Sequence, residues 1–143
     1  MRPEDRPERA LRKGVACLVL GSALAVGQAE AATFTVRNNN DAGVNSLRAA
    51  ITAANLTAAL DTIEFAILPA GSYTITLLSA LPPITQPVII DGTTQGSWVN
   101  LPPFAPVIQL NGAMAGGGAY GLDLQAGSSG STIRGLCINR FSA

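Results

Sequence analysis

Short runs of alternating apolar and polar residues fill most of this chain. In DTIEFAI (61–67), Ile63, Phe65 and Ile67 alternate with Thr62, Glu64 and Ala66. In SYTITLL (72–78), Tyr73, Ile75 and Leu77 fall on one side. Successive side chains of a strand point to opposite faces, so this period of two predicts half-buried strands. TFTVR (33–37), VIIDG (88–92), VIQLNG (107–112), GLDLQ (121–125) and STIRGLCINRF (131–141) read in the same way, the last divided into two halves at Gly135. One segment has a different period. In SLRAAITAAN (46–55), Leu47, Ala50, Ile51 and Ala54 recur at i, i+3, i+4 and i+7, the narrow apolar stripe of a short helix. Asn45 or Ser46 is placed to cap its first turn by accepting a backbone N–H. NNNDAGVN (38–45) is a loop by composition, and the prolines of LPPITQP (81–87) hold that stretch extended. TTQGSWVNLPPFAP (93–106) has no useful alternation and reads as a loop thrown outward.

The order of these elements suggests how they assemble. Strands end repeatedly in Asp-Gly or Asn-Gly, and aligning Gly92 with Gly112 gives a repeat of about 20 residues, within the range of solenoids. The expectation is a mainly β protein, a coiled stack of parallel strands. The helix at 46–55 would cover its first coil, where apolar cross-section and strand edges would otherwise be exposed. The division that follows is 1–31 as leader, 32–60 as amino-terminal cap, and 61–143 as the first coils, cut short at the carboxyl-terminal end. An open last coil with about four unpartnered inward residues forfeits on the order of 6–12 kcal/mol of burial. That rivals the whole stability of an ordinary domain, so self-association through the open end is expected.

The first 31 residues follow a different logic. Five of the nine basic residues lie in 1–13, followed by the apolar run VACLVLGSALAV (15–26) and then GQAEA. Basic stretch, apolar run and small residues before a cut form a secretory signal peptide, with cleavage expected after Ala31. Twelve apolar residues are too few to span a bilayer, which takes about 20, so no membrane span is expected in the mature chain. A secreted, extracellular or cell-surface location follows.

Charge and composition narrow the chemistry. Beyond Lys13 the chain has no lysine, and from Ala32 onward four arginines face five acids, so no basic patch exists for nucleic acid. Removal of the leader leaves Cys137 as the single cysteine, and the chain has no histidine. An internal disulfide, a Ser-His-Asp or Cys-His apparatus and the usual zinc sites are thereby excluded, and no metal or cofactor is expected. Asp61 and Glu64 stand three apart in a strand and so face opposite sides, which prevents a catalytic carboxylate pair. The G-x-G-x-x-G at 116–121 follows a strand but opens no helix, and GSSG (127–130) has no Gly-Lys-Ser/Thr after it; both read as turns. The remaining candidates for chemistry are Asp91, Asp123, Arg134 and Arg140, with Asp123 and Arg134 placed to meet across adjacent strands. Trp98 and Phe104 are candidates for stacking on sugar rings, with burial of Trp98 over the strands as the alternative. Asn139 is placed at a bend, with its hydrogen-bond partner expected beyond residue 143.

The segments SLRAAITAAN, LPPITQPVIIDGTTQ and GSTIRGLCINRFS together resemble the amino-terminal region of bacterial exported proteins built from right-handed parallel β-helix repeats. The resemblance covers residues 33–143. It implies a right-handed parallel β-helix fold, and a family that ranges from adhesins and surface structural proteins to pectate-lyase-like enzymes. Two functions follow as expectations. One is a structural or adhesive surface protein without a catalytic site in this chain, meeting an extracellular polysaccharide or a host or cell-surface ligand. The other is the start of a polysaccharide lyase or glycoside hydrolase.

Overall fold

The computed structural model describes residues 29–98 and 105–142. The leader therefore lies almost wholly outside the described residues, as does Phe104. The elements are β1 (Thr33–Val36), α1 (Leu47–Ala54), β2 (Asp61–Phe65), β3 (Tyr73–Thr76), β4 (Val88–Asp91), a single 3-10 turn (Gly92–Thr94), β5 (Ile108–Asn111), β6 (Thr132–Arg134) and β7 (Leu136–Asn139). They form a four-stranded sheet in the order β1-β2-β4-β6 and a three-stranded sheet in the order β3-β5-β7, with every pairing parallel.

The expected right-handed parallel β-helix, a solenoid start truncated at its carboxyl-terminal end, is corrected by this arrangement. The described residues form a small α/β-type domain: two small parallel sheets and one helix. The repeat of about 20 residues fails as well. β4 and β5, whose following glycines define that repeat, belong to different sheets and do not pair. True partners are unevenly spaced: 29 residues separate Ala32 from Asp61, 35 separate Thr74 from Gln109, and 43 separate Val88 from Ser131. The physical reason is that alternation is a property of each strand alone, whereas the distance to its partner depends on the length of the connections. GLDLQ differs too. Its only ladder contact is an isolated bridge between Leu124 and Ile84.

Register places like with like in the interior. Phe34, Ile63, Ile90 and Ile133 form one row across the larger sheet, and Ile75, Leu110 and Ile138 form another across the smaller. The central members of both rows are fully buried, together with Phe65, Leu47, Ile51 and Ile108. Helix α1 buries Leu47, Ala50, Ile51 and Ala54 and packs against β1 and β2.

The residues around α1 show why Ser-Leu-Arg stands at its start. The Ser46 hydroxyl accepts from the Ala49 N–H at 3.2 Å and donates to the Gly43 carbonyl at 2.7 Å, capping the helix and closing the loop before it. Leu47 enters the core. Arg48 reaches sideways: its guanidinium donates to the Asp41 carboxylate at 2.7 Å, to the Asp41 carbonyl at 3.1 Å, and to the Ala80 and Ser79 carbonyls at 2.6 and 3.0 Å. Asp41 in turn accepts from the Leu78 N–H at 3.0 Å. One cation thus ties the helix and its leading loop to the chain that leaves β3.

Arg48→Ala is expected to destabilise the fold by about 2–3 kcal/mol, because charge-assisted bonds to three carbonyls and a carboxylate are lost together. Arg48→Lys should recover less than half, since an ammonium cannot reproduce the fork. Equilibrium unfolding in urea measures both.

Candidate functional site

Among the sequence-derived candidates, the structure brings two together. β4 and β6 are neighbours, and their register sets Asp91 beside Arg134. On the other side of Asp91 the register places Glu64 of β2, and beyond it Thr35 of β1, so one row runs Thr35, Glu64, Asp91, Arg134. The Arg134 guanidinium donates to Asp91 Oδ2. This replaces the expected Asp123–Arg134 pair. Asp123 instead accepts from the Gln125 side chain at 2.9 Å, because the GLDLQ segment does not lie beside β6.

Asp91 has a second duty. Its Oδ1 accepts from both the N–H and the hydroxyl of Thr93, at 3.0 and 2.6 Å, which caps the 3-10 turn that leads the chain off β4. That turn has no spare room. A Cβ on Gly92 would meet the Gly135 carbonyl oxygen at 2.2 Å, so both residues must be glycine-small for the two strand ends to stack, and Gly135 adopts φ +69° between β6 and β7. The turn then delivers two side chains to the end of β2. Thr94 Oγ1 accepts from the Phe65 N–H at 2.7 Å. Gln95, 1 % exposed, accepts from the Ile67 N–H at 2.9 Å and donates to the Ile67 carbonyl at 2.8 Å. The sequence reading missed Gln95, which sits in a stretch without alternation; a long amide just after an Asp-Gly-Thr-Thr turn was the available signal.

The electrostatics of Asp91 follow from these contacts. Burial pushes its pKa up, but the hydrogen bonds from Arg134 and Thr93 and the adjacent positive charge outweigh it and hold the carboxyl below its ordinary value of 3.8. Asp91 is therefore an ionised acceptor of three hydrogen bonds. A general base or acid works best with a pKa near the working pH, and that of Asp91 is shifted the other way. Arg140 is exposed, at φ +60°, and forms no ion pair among the described residues. Trp98 is partly buried and packs against the core. Among the described residues no three His, Cys, Asp or Glu side chains gather into a metal site. No helix among them is long and apolar enough to cross a membrane.

The outer face of the smaller sheet carries polar side chains, most of which the sequence reading did not select. Thr74, Gln109 and Cys137 form one row, and Thr76, Asn111 and Asn139 the next. Thr74 donates to Gln109 Oε1 at 3.2 Å, and Gln109 Nε2 donates to Asn139 Oδ1 at 3.1 Å. Asn139 thus finds its partner on the preceding strand, correcting the expectation of one beyond residue 143. Two hollows flank α1: one of about 240 Å³ against β1, lined by Phe34, Asn45 and Ser46, and one of about 490 Å³ over the outer helix face, lined by Val44, Ala53 and Leu56. The chain matches no family model, no curated protein and no solved structure.

Asp91 should act as a stability switch at acid pH. Its depressed folded-state pKa contributes stability that is fully present above the unfolded value of about 3.8 and is lost as pH falls through the lower folded value. Urea unfolding below pH 4 is expected to show this loss in the wild type. Asp91→Asn should be less stable at neutral pH and should show a smaller drop across the same acid range.

Proposed function

We propose that this chain is an exported structural or adhesive surface segment that holds an extracellular polysaccharide or cell-surface glycan and carries no catalytic site of its own. The observation that carries this reading is the outer face of the β3-β5-β7 sheet. Hydroxyls and amides, with the Cys137 thiol, stand there in two parallel rows, with strands about 4.8 Å apart. A flat array of neutral donors and acceptors suits a chain of sugar hydroxyls, and it lacks the ionised groups that bond cleavage would need. The enzyme reading loses support because Asp91, one of the two candidates that meet, is already held by Arg134 and by the 3-10 turn. Export rests on the leader-like composition of residues 1–31.

Affinity electrophoresis against a panel of neutral and acidic polysaccharides tests the reading. Retardation in at least one gel is expected, with no new reducing ends in the polymer. The double variant Gln109→Ala/Asn111→Ala should weaken retardation about tenfold, the effect of losing two ordinary hydrogen bonds. Depolymerisation of any polysaccharide, abolished by Asp91→Asn, would establish the enzyme instead.

A further inference from the structure

The approach to β1 lies against a buried carboxylate. Asp61, the first residue of β2, is 0 % exposed. Its Oδ1 accepts from the Ala32 backbone N–H at 2.7 Å, and its Oδ2 accepts from the Thr57 hydroxyl. Both donors are neutral. The ion pairs among the described residues are Arg48–Asp41 and Arg134–Asp91, so no side-chain cation there meets Asp61. A carboxylate withdrawn from water is costly unless a positive charge and hydrogen bonds receive it.

Ala32 is also the residue at which the leader is expected to end. Ala29, Glu30 and Ala31 are exposed, whereas Ala32 is half-buried and its carbonyl accepts from the Thr62 N–H at 2.8 Å. We propose that removal of the leader after Ala31 turns the Ala32 nitrogen into an ammonium group that Asp61 receives, so that processing completes the fold with a buried ion pair. This rests on the export reading given above. A peptidase of the export route adds water across the Ala31–Ala32 amide. The C–N bond breaks, the hydroxyl of water joins the Ala31 carbonyl carbon, and its proton joins the nitrogen. The new carboxyl then loses its proton through solvent, and the new amine takes one up. The nitrogen already stands at hydrogen-bond distance from Asp61, and the Thr62 contact anchors the residue, so charge changes while position does not. A cut after Ala29 would leave the Ala32 N–H a neutral amide. Other charged groups stand apart from this pair. β1 has no titratable side chain, and Arg48 of α1 is held by Asp41. Glu64 lies three residues along β2. Asp91 lies three residues beyond Val88, the register partner of Asp61, and is held by Arg134. Glu30 departs with the leader.

No lysine follows Lys13, so a chain that begins at Ala32 has one amine, its α-amino group. The 143-residue chain is exported from a bacterial host and the processed protein is sequenced from its amino terminus. The pH midpoint of its acetylation is then measured folded and in urea. Ala32 is expected first. The urea midpoint should lie near the ordinary α-amino value of about 8, and the folded midpoint about one pH unit or more above it, a tenfold smaller acid dissociation constant. Asp61→Asn should return the folded midpoint to the urea value. Stability should follow the same group. A raised folded-state pKa contributes stability that is present below the unfolded value and lost as pH rises through the folded one. Urea unfolding of the free-amine protein should therefore weaken over that range relative to the same protein acetylated in urea and refolded. That comparison needs no substitution and decides even where Asp61→Asn unfolds. Equal folded and urea midpoints, a folded Asp61→Asn with the midpoint still raised, parallel pH curves for free and acetylated protein, or a first residue other than Ala32 overturns the proposal. A chain retained in the cell with its leader attached overturns the export reading together with it. A chain processed at Ala32 with an ordinary midpoint overturns the ion pair alone.

Discussion

Strands in this protein end before the hydrogen-bonding needs of their neighbours do, and polar side chains complete the ladders. A buried backbone N–H or carbonyl without a partner costs about as much as a lost hydrogen bond, so a sheet of strands only three to five residues long survives only if something stands in beyond each strand end. Thr94 and Gln95 do this for Phe65 and Ile67, Ser131 for Val88, Asp61 for Ala32, and Asn55 for Thr85 and Pro83. Among the described residues no buried side-chain nitrogen or oxygen lacks a partner. The polar residues that look idle in the sequence are therefore structural members of the sheets.

This use of polar groups bears directly on function. Asp41, Asp61 and Asp91 would be the natural pool for acid–base or metal chemistry. Asp41 holds Arg48 and Leu78, Asp61 holds Ala32 and Thr57, and Asp91 holds Arg134 and Thr93. Each carboxylate is spent on architecture. The surface proposed for recognition is the neutral face of the smaller sheet, built from amides and hydroxyls.

Several local features could be read directly from the residues. The stripe Leu47, Ala50, Ile51, Ala54 is the buried face of α1, and Ser46 is its cap. The alternation in 61–67 puts Ile63, Phe65 and Ile67 inside. Both follow from backbone geometry within one segment: the helical turn and the strand pleat place side chains without reference to the rest of the chain. The same reasoning overreached at GLDLQ, where alternation is present but only Leu124 forms a ladder bridge. It also overreached at the repeat near Gly92 and Gly112, where similar sequence endings belong to different sheets. The candidate site was legible as residue types and not as a pairing: Asp91 and Arg134 stood out, but with Asp123 as the expected partner of the arginine.

By itself, then, the sequence determined most of the strands, the helix at Leu47–Ala54, and which side of each turns inward, because those choices are made by steric and hydrophobic period over a handful of neighbours. Tertiary structure alone decided that two small parallel sheets form, that 43 residues separate Val88 from the Ser131 hydroxyl that completes its bonding, and that Arg134 meets Asp91. Those outcomes depend on how connections of unequal length return the chain to a common core, and no local period encodes that length.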